Sequence, residues 1–278
     1  MQFSLIALSV LALILNTTLC AQGQLLNSGA EAAGLGFATV AREGSTGVWA
    51  NPAAIASSRD SRVFAGYENR YGIAEGLHSL QAAYLHPYKS SVFAITAYRF
   101  GDLLYSHHKL SLVAGQKLGK FSGGLRINQH QYSTEGANTR FVTSLDAGAI
   151  ATIGDQLDIG MMLTNINQVR ISKQTGERLA STLQIGFNYT PSKELSLLGE
   201  FYYAIGLEPI IKVGLEYEAV KRLSLRSGVN TGSTNALFFG IGLKHSVLVL
   251  DYAIETHTSL GFSQHVGLSY LIPDYAER

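Results

Sequence analysis

Apolar and polar residues alternate along most of the chain. From about residue 61 onward, segments of about ten residues show this alternation, and each ends at a short stretch rich in Gly, Asn, Asp, Pro, Ser or Lys. Between 209 and 219 the apolar side chains take every second position: Ile211, Val213, Leu215 and Tyr217. A period of two is that of a pleated strand with one apolar and one polar face. We predict about fourteen strands, near 61–70, 77–87, 90–101, 107–118, 120–133, 140–153, 156–168, 180–190, 194–205, 209–219, 222–231, 234–244, 247–256 and 263–272.

The links between these segments alternate in length. Short polar links such as 220–221 and 245–246 suit antiparallel hairpins, and they leave no room for crossover helices. Longer connections such as 133–139 and 169–179 fall mostly at every second junction. The chain therefore predicts an all-β antiparallel sheet with short turns at one end and longer loops at the other.

Such a sheet can close in two ways. A water-soluble sandwich buries its apolar faces, whereas a membrane barrel turns them outward to lipid. Here the apolar face is almost free of charge and carries aromatic residues near strand ends, which favours a transmembrane antiparallel β-barrel of about fourteen strands. Five charges are singled out as facing its lumen, Glu200, Glu216, Arg226, Lys244 and Asp251, and Lys212 lies on the same polar face. Their mixed signs favour a network paired across strands over an ion-selective pore.

The first 21 residues have the features of a secretory signal peptide. An uninterrupted apolar run from Leu5 to Leu15 is too short to span a bilayer, although no Lys or Arg precedes it. We expect cleavage after Ala21. Lipidation of Cys20 is the alternative, but Leu19 stands where a lipidation motif needs a small residue.

Composition and motifs exclude several functional classes. The net charge of +1, without any Lys/Arg cluster, gives no basis for binding nucleic acid. The eight histidines contain no pair at metal-ligand spacing with an acidic partner, and His107 and His108 point to opposite faces of a strand. A catalytic set of Ser263, His265 and Asp251 has no local motif to support it. We therefore expect no metal, no cofactor and no enzymatic activity.

A Gly/Ala-rich stretch precedes the first strand and contains the only Trp of the chain. It resembles the N-terminal signature of the FadL-like outer-membrane proteins, in particular the PorV/PorQ branch of Bacteroidetes. The matching residues are Gly29, Ala30, Ala33, Gly34, Gly36, Ala38, Val40, Trp49, Asn51, Pro52 and Ala53. The resemblance implies a plug inside the barrel, with Gly34, Gly36, Trp49, Asn51 and Pro52 as its motif. The alternative is a disordered linker, which the apolar residues of this stretch disfavour.

Three parts of the chain follow from these predictions: a signal peptide over 1–21, an N-terminal plug segment over 22–60, and an outer-membrane β-barrel over 61–278. Pro52 is suited to the first turn of a short helix through Ala53–Ala56. We expect the mature protein in the bacterial outer membrane, in contact with its lipid.

The resemblance implies two functions. PorV and PorQ imply an accessory barrel that binds larger outer-membrane subunits and serves protein secretion or surface assembly of the type IX kind. FadL implies a passive channel for hydrophobic small molecules, with Leu35, Phe37 and Trp49 lining an apolar pocket. We expect the accessory role, because this chain of 278 residues has short loops and lacks long extensions that could capture a ligand.

Overall fold

The computed structural model describes residues 29–72, 78–172, 176–232, 236–257 and 259–273. The predicted signal peptide, its cleavage site and Cys20 lie outside these residues. No helix in the described ranges is long and apolar enough to cross a membrane.

Fourteen antiparallel strands form one closed barrel, as the alternation predicts. Each strand pairs with its neighbours in sequence, and pairing of the first strand with the last closes the sheet. The strands are β1 (Arg62–Asn69), β2 (His78–Tyr88), β3 (Ser91–Gly101), β4 (Tyr105–Leu118), β5 (Phe121–Thr134), β6 (Arg140–Ile153), β7 (Leu157–Thr164), β8 (Thr182–Ser192), β9 (Leu195–Ala204), β10 (Ile210–Val220), β11 (Leu223–Asn230), β12 (Leu237–His245), β13 (Leu248–His257) and β14 (Gly261–Leu271). The register changes between Tyr189 and Ser192 in β8 and between Glu218 and Val220 in β10.

The two faces of the wall differ as a membrane barrel requires. Ile211, Val213 and Tyr217 of β10 point outward and are about half exposed, although they are apolar or aromatic. Lys212 lies between the first two of these residues and points into the lumen, where it is fully buried. An apolar outside around a polar, filled inside is the arrangement of a barrel in lipid.

The two rims of the barrel also differ. The β2–β3, β4–β5 and β10–β11 hairpins turn within two residues, whereas the connections at the opposite rim include the long 164–182 loop. In outer-membrane barrels short turns face the periplasm and longer loops face the outside. The N-terminal end of β1 and the C-terminal end of β14 both lie at the rim with the short turns. We call this rim the periplasmic rim.

Residues 29–58, which we call the inner segment, lie inside the barrel. The segment contains one short helix, α1 (Ala30–Gly34), and two 3₁₀ helices, Ser45–Val48 and Ala54–Ser57. The second 3₁₀ helix begins two residues after Pro52, close to the predicted helix over 53–56. Helix α1 packs on β11–β14, and the 3₁₀ helix Ala54–Ser57 packs on β3–β5. The segment therefore touches opposite parts of the wall.

Strands β1 and β3 mix apolar and polar residues on both faces, with Phe64 near Arg62 and Arg99 between Tyr98 and Phe100, and the inner segment explains part of this pattern. Their inward residues Phe64 and Val92 are buried against Val48, Trp49 and Ile55 of the inner segment. These strands are apolar on both faces over part of their length because one face meets lipid and the other meets an apolar part of the segment.

Candidate functional site

Glycines of the wall allow the inner segment to lie directly against the strands. A methyl group on Gly228 would overlap the backbone of Gly36, and one on Gly148 would overlap the side chain of Asn51. The inward glycines in contact with the segment are Gly115, Gly124, Gly148, Gly160, Gly186, Gly214, Gly228, Gly240 and Gly267. Because glycine has no side chain, two backbones can approach closely at these positions. The glycines on the inward face of the strands therefore form part of the surface on which the segment packs.

Asn51 joins two stretches of the inner segment to each other and to the wall. Its side chain is fully buried, and its amide nitrogen donates to the carbonyl oxygen of Val40 at 2.7 Å. Longer bonds from the same nitrogen reach the carbonyl oxygens of Ala149 at 3.4 Å and Met161 at 3.3 Å. The side-chain oxygen accepts from the backbone N–H of Ala53 at 3.0 Å, which fixes the turn before the 3₁₀ helix.

Arg126 of β5 binds the backbone of the segment at the first 3₁₀ helix. Its guanidinium is paired with Asp146 of β6, with 2.9 Å between Nε and Oδ2. It also donates to the carbonyl oxygens of Trp49 at 3.1 Å and Val48 at 3.4 Å. A 3₁₀ helix leaves its last carbonyl groups without partners in the helix, and the planar fork of arginine can serve several of them. Arg126 therefore acts as a cap supplied by the wall.

Lys212 and Glu200 form a fully buried ion pair on β10 and β9. The distance from Nζ to Oε1 is 2.5 Å, and both side chains have no exposed surface. Lys212 also donates to the carbonyl oxygen of Phe37 at 3.3 Å, and the second oxygen of Glu200 accepts from the N–H of Val40 at 3.0 Å. Each charge therefore bonds both its partner on the wall and the backbone of the inner segment.

A second cluster links five charges near the periplasmic half of the lumen. Arg42 of the segment bridges Glu31 and Glu216, with 2.7 Å to each. Arg226 bridges Glu216 and Asp251, with 2.6 Å to each. Three carboxylates and two guanidinium groups give this set a formal charge of −1 when all are ionised. The chain of pairs runs from the segment across β10 and β11 to β13.

Two charges of this cluster belong to the segment itself. Burial alone would raise the pKa of Glu31, but attraction to Arg42 and Arg226 outweighs burial and leaves that pKa below its usual value. Burial alone would lower the pKa of Arg42, and attraction to Glu31 and Glu216 leaves it above its usual value. Both groups are therefore held in their charged forms.

The structure brings together four of the five charges predicted for the lumen. Glu200, Glu216, Arg226 and Asp251 lie in the two buried sets. Lys244 does not join either set. Its side chain is exposed next to His245, where β12 ends at the periplasmic rim. Alternation gives the direction of a side chain but not its depth in the barrel.

The predicted plug motif lies within the inner segment. Gly34 ends α1 against Gly240 and Arg226, and Gly36 follows in a left-handed conformation with φ of 61°. Trp49 packs on Phe64 of β1. Pro52 lies against Gly124 and Gly148 of the wall.

Four charged residues of the site were missed by the sequence analysis: Glu31, Arg42, Arg126 and Asp146. Arg126 and Asp146 occupy inward positions of alternating strands, so the pattern that identified Glu200 could also have identified them. Glu31 and Arg42 had no such signal, because the segment that carries them has no strand periodicity.

A histidine pair lies in the half of the lumen away from the periplasmic rim. His107 Nε2 and His130 Nδ1 are 3.0 Å apart, and the ring of Tyr132 stacks on His107 with 4.4 Å between centroids. His130 also contacts the hydroxyl of Ser144 at 3.0 Å. In the described part of the chain, no group of three or more His, Cys, Asp or Glu residues could hold a metal ion.

A cavity of about 40 Å³ lies between the inner segment and β1, β2 and β14. Trp49 and Phe64 line it together with Thr39 and Gln81. Such a volume has room for a few water molecules, and an aromatic ring needs more. Of the three residues expected to line an apolar pocket, Trp49 borders this cavity. Leu35 packs instead on Leu198, and Phe37 packs on Phe238, so the expectation of one pocket for all three is wrong.

The fold is shared with solved outer-membrane channels. The toluene transporter TbuX of Ralstonia pickettii superposes with a TM-score of 0.67 at 10% identity, over 89% of this chain and 98% of that one. The toluene transporter TodX of Pseudomonas putida gives a TM-score of 0.63 at 11% identity, over 89% and 97%. A FadL homologue of Pseudomonas aeruginosa gives 0.60 at 12% identity, over 87% and 97%.

No protein-family model and no curated protein matches the sequence. The structural matches agree with the FadL-like part of the resemblance, and they give no support to the PorV/PorQ branch or to a role in secretion. Their coverage extends over nearly the whole of each channel chain, so the similarity concerns the complete barrel. The protein is accordingly a fourteen-stranded β-barrel of the bacterial outer membrane, with the fold of TbuX, TodX and the FadL homologue.

Proposed function

We propose that this protein is a passive outer-membrane channel for small hydrophobic molecules, closed by its inner segment. The observation that carries the proposal is a segment bonded across the lumen of a barrel whose fold matches hydrocarbon channels over nearly their full length. TbuX and TodX are described as toluene transporters, and their shared fold makes the same class of permeant the first candidate here.

The bonds described above make the present conformation a closed one. Arg126, Lys212 and Glu200 bind the backbone of the segment from two sides of the wall. The cavity beside the segment is too small for an aromatic ring. Passage of a permeant therefore requires part of the inner segment to move, and the segment acts as a plug.

Uptake by intact cells tests this proposal. The protein is expressed in a bacterial host that lacks its own hydrophobic channels, and accumulation of radiolabelled toluene is measured over the first minute. A whole outer membrane is needed because its lipopolysaccharide leaflet retards hydrophobic solutes that cross simple bilayers. We expect faster initial uptake than in cells with an empty vector.

Two results would contradict the proposal. One is equal uptake with and without the protein when equal amounts of folded barrel reach the outer membrane. The other is isolation of the native protein in a stable complex with much larger outer-membrane subunits, together with no toluene uptake, which is the result that an accessory role predicts.

A further inference from the structure

The inner segment is bonded to the wall on one side of the lumen. Its hydrogen bonds and ion pairs go to β4–β7, β9 and β10, through residues such as Arg126 and Lys212. Among the described residues, no hydrogen bond joins the segment to β1, β2, β3 or β14. Moving the segment away from these strands would separate Arg42 from Glu216, and it would leave the carbonyl oxygens of Phe37 and Trp49 without their donors.

The opposite side of the segment is held by apolar contact alone. Val48 and Trp49 pack there on Phe64, Leu85 and Val92 of β1, β2 and β3. Apolar contacts, unlike hydrogen bonds, do not depend on a fixed geometry. Two apolar surfaces can therefore separate and bind a hydrophobic molecule between them. The segment also packs on apolar residues elsewhere, with Phe37 on Phe238 and Leu35 on Leu198, but Lys212 and Glu200 bond its backbone in that region. Along β1, β2 and β3 a hydrophobic molecule would meet apolar contacts without hydrogen bonds to the same strands.

The cavity lies between this apolar side and the charged cluster, since Glu31, Arg42 and Asp251 line it as well as Trp49 and Phe64. Helix α1 is close to β14 there, since the Cβ atom of Ala30 would be 3.4 Å from a Cβ atom placed on Gly267. Thr39 Oγ1 and Gln81 Oε1 border the cavity, are buried, and have no hydrogen-bond partner in the part of the chain that the structure describes. Buried polar atoms normally have a partner, so this space is suited to water or to a solute with a hydroxyl group. An opening thus already exists where the bonds to the wall are missing.

We propose that the permeation route runs between the inner segment and β1, β2, β3 and β14, along Val48, Trp49 and Phe64. The segment opens on this side and remains fixed to β4–β10 on the other. This inference rests on the proposed channel function and adds the position of the route and the lining that selects hydrophobic permeants.

Two engineered disulfides, each in a background with Cys20→Ser, distinguish the two sides. Ala30→Cys with Gly267→Cys joins the segment to β14 at the cavity, at a Cβ separation of 3.4 Å. Leu35→Cys with Gly214→Cys joins it to β10, where the corresponding separation is 3.1 Å. Both separations are close to the roughly 3.5–4.5 Å of natural disulfides. Gel mobility with and without reductant measures how much of each bond has formed.

Radiolabelled toluene uptake is then compared in oxidised and reduced cells. We expect the bond at Gly267 to reduce uptake at least fivefold and reductant to restore it. The bond at Gly214 should leave uptake within twofold of the same variant after reduction, a comparison that cancels any effect of the new Cβ atom 2.7 Å from the carbonyl oxygen of Leu35. Equal uptake with and without the Gly267 bond would overturn the route, and so would equal inhibition by both bonds. If the wild-type protein itself gives no uptake, the channel function has failed. If the wild type transports toluene and the two bonds act alike, only the route is wrong.

Discussion

Loss of the Lys212 ammonium is expected to destabilise the barrel strongly. Lys212→Met keeps the length of the side chain but removes its ion pair with Glu200 and its bond to the carbonyl oxygen of Phe37. It also removes the ammonium that lies 4.8 Å from the ring centre of Tyr202. The Glu200 carboxylate then stays buried with one remaining donor, the N–H of Val40.

The size of this effect follows from full burial of both partners. Removing one member of a buried ion pair costs about 3–5 kcal/mol, because the other charge is left uncompensated. Replacing both members with neutral side chains of similar volume is far less costly. We therefore expect the double variant Lys212→Met with Glu200→Gln to recover most of the lost stability, since Gln can still accept from Val40.

The assay follows the folded barrel by its faster migration in unboiled gel samples after equilibration in increasing urea. Lys244→Met is the matched control, because that lysine is exposed at the periplasmic rim. We expect a clear fall in the urea midpoint for Lys212→Met, a small fall for the double variant and none for the control. The reasoning is refuted if the double variant has a urea midpoint as low as that of Lys212→Met. It is also refuted if Lys212→Met and the Lys244→Met control have the same urea midpoint.

Three further outcomes are expected. Removal of residues 29–58 should convert the closed barrel into one with a steady ionic conductance in planar bilayers, and an unchanged conductance would show that the segment does not occlude the lumen. Asn51→Ala should lower stability in urea by about 1–3 kcal/mol because it leaves buried backbone groups unbonded. For Glu31, attraction to Arg42 and Arg226 outweighs burial, so its pKa is lower in the folded protein. The charged Glu31 stabilises the folded barrel above its unfolded pKa of about 4.3, and this contribution is lost as the pH falls through its folded pKa. When the pH is lowered from neutral to about 3, the stability of Glu31→Gln in urea should therefore fall less than that of the wild type.

The strands could be predicted from the sequence because a barrel wall repeats one simple pattern. Lipid on the outside demands apolar residues at every second position, so Ile211 and Val213 reveal both the strand and its outer face. The closure and the rim asymmetry then follow from the number of strands and the lengths of the links.

The contacts of the lumen could not be predicted in the same way. Partners such as Arg126 and the carbonyl oxygen of Trp49 are 77 residues apart, and their meeting depends on the depth at which the segment lies. Lys244 shows the same limit, since its position in the alternation suits the lumen but it is exposed one residue before the end of its strand. The split of Leu35, Phe37 and Trp49 among separate clusters is a third case, because a segment that crosses the barrel presents its side chains to different walls.

The connection between the inner segment and the wall limits how far the segment can travel. Residues 58–61 join the second 3₁₀ helix to the start of β1, and four extended residues span at most about 14 Å. The end of the segment near Ile55 is therefore tethered close to the periplasmic rim in every state of the folded barrel. Any movement of the segment is therefore smaller beside Ile55 than beside Ala30 and Gly267.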